Sequence, residues 1–490
     1  VRGFGAVDLA NVTLRCDGRV VAEIQPDSAF ATSGQIHDLY TLSRAHDCGS
    51  RTCLRIERRP ETTLQATDIV DVDLGNGLAL RMPIVAWTDG THTLPPHERF
   101  DPEARLPASD LRARLAAVLD LWAVLRWFYP YFEDQHTDWD AALDPALQEA
   151  AAATTSDAQR HALSRLTFAL HDDHARVLRP GVDDGLLPVL FRSLDNRIIV
   201  AGTLSPGDGI PLGSTLVAID GVPAEEARRR SADLISAATP WFALRHSTYG
   251  IAYGKKGTFA RLTVREPGSA HDAIHLVPRL DRGELVPKLR EQRPASGSVL
   301  AERVAYVDLH TLDDATWTSI LPKLSDARAI IFDLRGYVGT AAFVPLEYLA
   351  DRELRSPTWA HRLVTASGAP RYDDQFWYIA PRRHRLRAKA IFLVDARTAS
   401  APETILQIVR GEHLGTIIGE PSGGTNGGTA DYELIGEMAT RFTGMRVLNH
   451  DGSLFHGHGI TPDIVAHPTV DGIVAHRDEV LEAAVAFARQ

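Results

Sequence analysis

Ala390-Ile-Phe-Leu-Val394-Asp-Ala-Arg-Thr-Ala-Ser400-Ala-Pro-Glu403-Thr-Ile-Leu406 is the stretch on which the fold of this chain turns. An apolar run of this length, closed by polar and small residues, reads as a buried strand followed by a tight turn. Pro402 suits a first helical turn and Glu403 complements the positive end of the helix dipole, so a helix opens right after Ser400. Ser400 therefore stands at a helix N-terminus, where free backbone N–H groups can stabilise an oxyanion. It can equally be an ordinary helix cap, as most serines at such positions are. The local sequence leaves nucleophile and cap both open.

The same strand-then-helix alternation extends around this stretch. Val304-Ala-Tyr-Val-Asp-Leu, Ala329-Ile-Ile-Phe-Asp-Leu and Thr416-Ile-Ile-Gly are further short apolar runs. Helical stretches over Thr316 to Leu324, Ala342 to Ala350 and Glu403 to Arg410 separate them. That order predicts an α/β core with its chemistry at the ends of the strands. After one run comes Asp333-Leu-Arg-Gly336-Tyr-Val-Gly339, whose glycines let the backbone approach a ligand or simply make a turn. The core is expected over residues 284–490, and 281–298 reads as a polar linker.

Upstream, Ile198-Ile-Val, the Gly207 to Pro223 turn–strand–hairpin and a helix over Ala224 to Ile235 predict a compact β module over 185–283. Residues 105–184 read as helical. Leu111, Leu115, Val118, Leu119, Trp122 and Leu125 recur at helical spacing after a Ser109 or Asp110 cap, and the helix stops before Pro130. Helices over about 140–152 and from Ser156 to about Leu170 follow. His171-Asp-Asp-His174 closes that region, and His174 has the ionisation range of a general base. Residues 1–104, rich in β-branched and turn residues, read as a β-rich module, with strands at Val12-Thr-Leu-Arg and Leu78-Ala-Leu-Arg.

Composition narrows the function. With 52 basic and 63 acidic residues the chain carries a net charge of -11, which argues against nucleic acid as a partner. No apolar run approaches the roughly 18 residues of a membrane span. The chain starts at Val1, so a processed or truncated product, with any signal segment already removed, is the expectation. Cys48 and Cys53 flank a stretch that can close a disulfide loop or hold two free thiols. His171, His174, His450, His456 and His458 match no recognised metal-ligand motif, so no metal or other cofactor is expected, although a metal-dependent hydrolase stays as a third reading.

Taken in order, six segments resemble the family of serine peptidases that includes the tail-specific (C-terminal processing) proteases, the tricorn core and interphotoreceptor retinoid-binding protein. They are Trp127-Phe-Tyr-Pro-Tyr with Asp138-Trp-Asp, Leu166 to Val177, Gly207 to Pro223, Ala329 to Gly339, Thr398-Ala-Ser-Ala-Pro-Glu403, and Gly459-Ile-Thr-Pro-Asp463. The resemblance implies a PDZ-like module at 185–283 that binds extended chain ends, and a crotonase/ClpP-like catalytic core. It implies a serine peptidase acting on peptides or proteins, secreted, periplasmic or at the cell surface.

Carried over residue by residue, Ser400 matches the nucleophile. Thr425 stands where the processing-protease branch has a lysine base, and no lysine follows Lys389. His174 matches the histidine base of the tricorn-type branch, with a neutral imidazole active and activity lost as pH falls. The N–H groups of Ala401 and Gly339 match the oxyanion hole, and Asp173 matches a small polar residue beside the base. Tyr337 and Val338 replace the usual Asn and Gly of the glycine loop. His456 replaces the family's acid, so Asp172 or Glu420 is the candidate orienting group in its place. These departures keep a second reading, a weak or inactive relative that binds peptide or a small apolar ligand.

Overall fold

Apolar alternation and capping residues set the elements of this chain, and a computed structural model describes them for residues 110–490. Excepted are residues 136, 179–183, 205–208, 287, 288, 290, 292, 364–370, 436 and 437. Before residue 110 it describes only the backbone of short strands between Val7 and Leu94. Those strands include a four-stranded antiparallel sheet in the order Val7–Leu9, Cys53–Arg58, Tyr40–Ala45, Ser33–His37. Val12–Cys16 pairs with Arg19–Ile24, and Ile69–Gly75 with Leu78–Pro83. The Cys48–Cys53 bridge lies outside the described residues. One compact unit comprises Val1–Glu103, Glu353–Ser356 and Arg362–Ile379; the second comprises Ala104–Arg352, Pro357–His361 and Ala380–Gln490. In the first, Leu354–Arg355 pairs antiparallel with Tyr378–Ile379. Everything below concerns the second.

Asp110 caps α1 (Leu111–Phe128) by accepting the Arg112 N–H at 2.8 Å. The helix ends two residues before Pro130, whose ring disfavours helical backbone in the residue before it. The buried face of α1 is Ala113, Ala117, Val118, Leu121 and Leu125, whereas Leu111 and Leu119 of the expected stripe are each 48% exposed. The face is rotated because α2 (Leu143–Ala152) and α3 (Ser156–Phe168) pack close, with Ala146, Ala150 and Ala162 turned inward. Small residues at a contact allow that approach. Strand β1 (Arg176–Leu178) follows directly.

The next sheet is antiparallel, in the order β2 (Val189–Leu194), β3 (Arg197–Thr203), β4 (Thr215–Ile219), β5 (Phe259–Arg265), β6 (Asp272–Pro278). On β5, Ala260, Leu262 and Val264 are buried and Phe259, Arg261 and Arg265 exposed, the period-two pattern of a half-covered sheet. Helices α4 (Ala224–Ala232) and α5 (Pro240–Gly250) lie between β4 and β5 in sequence. The 281–298 stretch is no solvated linker. It contains the helix Arg282–Leu285, and its Glu291 and Arg293 pair with Arg397 and Asp308, because charges buried at this depth need partners.

The core is a six-stranded sheet in the order β7 (Val299–Ala301), β8 (Val304–Asp308), β9 (Ala329–Asp333), β10 (Lys389–Val394), β11 (Thr416–Gly419) and, last, β14 (Ile464–Val465). All pairings but the first are parallel. Every residue of β9 is buried, as expected for a strand covered on both faces. Burying Ile330, Ile331 and Phe332 contributes about 1.5–3 kcal/mol each. Helices α6 (Asp314–Ser325), α7 (Ala401–Gly411) and α8 (Glu479–Ala488) belong to this core. A hairpin of β12 (Thr429–Leu434) and β13 (Met438–Thr443) leaves it and pairs with β1, Arg176 facing Arg441 and Val177 facing Thr440. The molecule is thus mixed α/β.

Candidate active site

The turn between β10 and α7 is locked before it reaches Ser400. Arg397 folds back on Asp395, and the Thr398 hydroxyl donates to Leu334 O at 2.8 Å. Ser400 is forced to φ +70°, a conformation rare and costly for a side chain other than glycine or asparagine. Its N–H donates to Thr425 O at 2.8 Å and lies 3.1 Å from Glu403 Oε2. The N–H groups of Glu403 and Thr404 both go to Ser400 O, and Pro402 has none. Ala401 N–H, in the first turn, has no intrahelical acceptor and is the group left to meet an oxyanion.

Glu403 is fully buried and fastens the next loop. Its Oε1 accepts the Ser422 hydroxyl at 2.5 Å and the Gly424 N–H at 2.7 Å. Burial pushes its carboxyl up to about 8, against the donors around it that favour the charged form. The loop starts at Gly419, where φ is +139° and a Cβ would lie 2.0 Å from Val394 O, so only glycine fits. From α5, Trp241 Nε1–H donates to Ser422 O, and the hydroxyl of its cap Thr239 donates to Gly423 O at 2.6 Å.

His174 comes to the same place by strand register. With Arg176 opposite Arg441, two residues further along the antiparallel pair set His174 opposite Thr443. His174 Nδ1 lies 2.9 Å from Thr443 Oγ1, and that hydroxyl lies 2.7 Å from Asp172 Oδ1. Asp172 is fully buried and also accepts the N–H groups of Thr443 and His174. A carboxylate only accepts, so the hydroxyl proton points at Asp172 and its lone pair takes the Nδ1–H of His174. The network thereby assigns the tautomer and leaves Nε2 bare. Burial lowers the His174 ionisation below its usual range, and the Asp172 charge opposes that shift. Thr425 links the two halves: its carbonyl takes Ser400 N–H, and its hydroxyl takes Asp173 N–H at 3.3 Å. No hydrogen bond joins the Ser400 hydroxyl to His174 among the described residues.

The other candidates fall elsewhere. Gly339 N–H is already donated to Leu309 O at 2.7 Å, and a Cβ there would lie 2.3 Å from Leu312 O. The close packing that demands glycine also occupies the donor, so in this arrangement it is not free to meet an oxyanion. Glu420 pairs with Arg192 at 2.5 Å and does not reach the imidazole. His456 stacks on Tyr131 at 4.1 Å, its Nε2 2.9 Å from His171 O, and burial pushes it down to about 4. It is a neutral core ring rather than an orienting group. Asp173 Oδ1 accepts Ala238 N–H at 2.7 Å, while its buried Oδ2 has no partner. Burial, with Glu403 and Asp172 nearby, raises its carboxyl well above the usual range. The rings of His174 and His456 turn to Thr443 and to the His171 carbonyl rather than to a common point.

A serine in a strained strand-to-helix turn, a histidine with a bare nitrogen and a glycine-bearing loop after the neighbouring strand now stand together. Residues 303–466 match the model of peptidase family S41. That segment is about a third of the chain; over it the sequence is similar to the S41 peptidases, and the match supports a serine-type peptidase. No curated protein matches the chain in sequence. Its fold is similar to that of mature CPAF complexed with lactacystin, at TM-score 0.59 and 15% identity over 77% of this chain and 98% of that one. The photosystem II D1 C-terminal processing protease overlays at TM-score 0.44 with 16% identity, over 74% and 96% of the two chains. Tricorn protease overlays at 0.42 with 12% identity, over 77% of this chain and 37% of its own. Among the described residues no helix is long and apolar enough to cross a membrane.

Two contributors had no legible signal. Thr443 ends a strand in a segment without a motif, and only strand register brings it to His174. Glu403 read as a dipole complement, and its hold on the 422–425 loop depends on residues that sequence alone does not place beside it.

Proposed function

We propose that this chain is an S41-type peptidase that cleaves peptide bonds with Ser400 as nucleophile and His174 as general base, oriented by Asp172 through Thr443. The observation that carries it is the Asp172–Thr443–His174 chain, which fixes Nδ1 as the protonated nitrogen and Nε2 as the acceptor. In the reaction Nε2 takes the Ser400 hydroxyl proton as Oγ attacks the scissile carbonyl, then returns it to the leaving amine. Ala401 N–H faces the developing oxyanion, and one such donor is worth about 3–4 kcal/mol. Catalytic hydrogen bonds commonly tighten only once substrate is bound, which accommodates the open Ser400–His174 pair.

The β2–β6 sheet with α4 and α5 is read as a PDZ-like module that adds an extended peptide as a further strand, and the core as crotonase/ClpP-like. Exported or cell-envelope proteins are the proposed substrates, and fractionation of cells expressing the tagged chain checks that location. One observation favours the second reading, a catalytically weak relative that holds peptide: the Gly339 N–H engaged by Leu309 O. Labelling by a fluorophosphonate separates the two. Wild type should label and cleave a peptide, and Ser400→Ala should do neither while unfolding at nearly the same temperature. Cleavage retained by Ser400→Ala would remove the assignment.

A further inference from the structure

The three-stranded sheet β1–β13–β12 has two unlike faces. Val177, Phe442 and Ala430 point one way, into the apolar cluster they share with α1, α2 and α3. Side chains alternate along a strand, so Arg176, Arg441 and Asp431 share the other face with Thr443 and the His174 ring bonded to it. The face that leads to the proposed base is therefore a charged one. Arg176 stands on it two residues from His174, about 7 Å along the chain.

The charges on this face do not balance. Asp431 accepts two hydrogen bonds from Arg441, at 2.6 and 2.7 Å. Arg176 lies directly opposite Arg441, and its guanidinium has no hydrogen-bond or ion-pair partner among the described residues. Asp172 is engaged by Thr443 and the His174 N–H. Arg282, set over the Tyr253 ring, adds to the positive field at Arg176 instead of relieving it. Like charges facing each other across a strand pair are destabilising, and a carboxylate at position 176 would have paired with Arg441. A free cation stands there instead. Arg176 and Arg441 are both near enough to the imidazole to lower its ionisation. Arg176 is also exposed, so its forked donors are open to an incoming group, and a carboxylate is the peptide group they match best.

We propose that Arg176 is a specificity-determining residue, which receives the side-chain carboxylate of a Glu or Asp inside the substrate peptide, two residues from the scissile bond. An extended peptide advances about 3.3 Å per residue, so a bond held beside His174 brings that side chain level with Arg176. Arg441, partly neutralised by Asp431, sets the strength of the attraction. The acidic residue lies before or after the bond according to the direction in which the peptide runs, and both cases present the same group. The proposal rests on the peptidase reading for its ligand class, but binding tests it without turnover.

The test uses the full chain carrying Ser400→Ala and three decapeptides, acetylated and amidated so that neither chain end is charged. One is neutral, the second carries a Glu two residues before its central bond, and the third a Glu two residues after it. Titration calorimetry gives each Kd. At least one acidic peptide should bind about fivefold or more tightly than the neutral one, the scale of a charge-assisted contact in a partly screened place. The peptide that wins assigns the side. Adding Arg176→Gln should bring acidic and neutral peptides to equal affinity, and Arg176→Lys should restore part of the difference. Asp431→Asn, at an exposed position, releases Arg441 and should widen the preference, and it decides the matter if Arg176→Gln does not fold. Equal binding of all three peptides, binding of none, or an acid preference that Arg176→Gln leaves intact overturns the proposal. So does a preference that Asp431→Asn leaves unchanged, should Arg176→Gln not fold. Failure of the native chain to cleave any of the three, with the acid preference intact, would instead count against the peptidase reading alone.

Discussion

The hydroxyl of Thr443 is the smallest part on which the proposed mechanism depends. It accepts the His174 Nδ1–H and donates to Asp172, so it sets the tautomer and passes on the influence of a carboxylate that does not touch the ring. Thr443→Val keeps the shape and removes both bonds. It should lower kcat/KM roughly 10²-fold, the scale of losing an oriented base, and Thr443→Ser should restore most of it. The pH profile tests the same point. Burial lowers the His174 ionisation, and the proposed mechanism uses the neutral imidazole, so activity should rise through an ionisation below about 6.5 and be lost as pH falls through it. Because the Asp172 charge raises that ionisation, Asp172→Asn should move the acid limb further down. An acid limb unchanged in Asp172→Asn, with the rate intact, would make the chain a structural device. Of these residues, Ser400 was legible from its own neighbours, because a strand, small residues and Pro-Glu are local signals. His174 was legible locally as a possible base, its match to Ser400 only through a resemblance, and Thr443 not at all, since a pairing across 269 residues leaves no local pattern.

At the scale of elements, the start of α7 works as a clamp. Glu403 joins the Ser400 turn to the 422–425 loop, and α5 holds that loop from its other side through Trp241 and Thr239. Glu403→Gln turns an amide NH2 toward groups that are themselves donors, so part of the clamp must open. We expect about 1–3 kcal/mol of lost stability, the usual cost of leaving buried polar groups unsatisfied. We also expect a fall in kcat with KM little changed, read by denaturant unfolding and steady-state kinetics. A fall in stability with kcat intact would confine Glu403 to holding the fold. The parallel strands were the most legible elements, since burial on both faces writes an unbroken apolar run. The face of α1 was not, because Leu111 and Leu119 fit the helical period while small alanines carry the contact. Gly339 shows the limit from the other side. Sequence marked a glycine where the backbone comes close, and the structure gives that closeness to Leu309 and Leu312.

Over the whole second unit, ion pairs knit the β2–β6 module to the core. Arg192 of β2 meets Glu420 and Glu291, and Arg397 meets Glu291 and Asp395. Arg397→Met would leave buried Asp395 facing half-buried Glu291, and removing one partner of a buried pair typically costs about 3–5 kcal/mol, with less expected here because Glu291 keeps Arg192 and Arg293 nearby. Urea unfolding followed by tryptophan fluorescence should show that loss, and a shift under about 1 kcal/mol would mean the network is solvated and weak. Segments far apart in the chain, around residues 172, 238, 403 and 443, converge near Thr425, and that convergence bears on how such a site changes over evolutionary time. A lysine replacing Thr425 would enter a space bordered by the carboxyl groups of Asp173 and Glu403, which burial holds toward their neutral forms. An amine set beside such an acid takes its proton, and the two ionise together as a pair. An amine so paired cannot take a serine's proton, so a single substitution would bring in a lysine without making it a base. On the proposed mechanism, a lineage changing its base would have to shed those acids first.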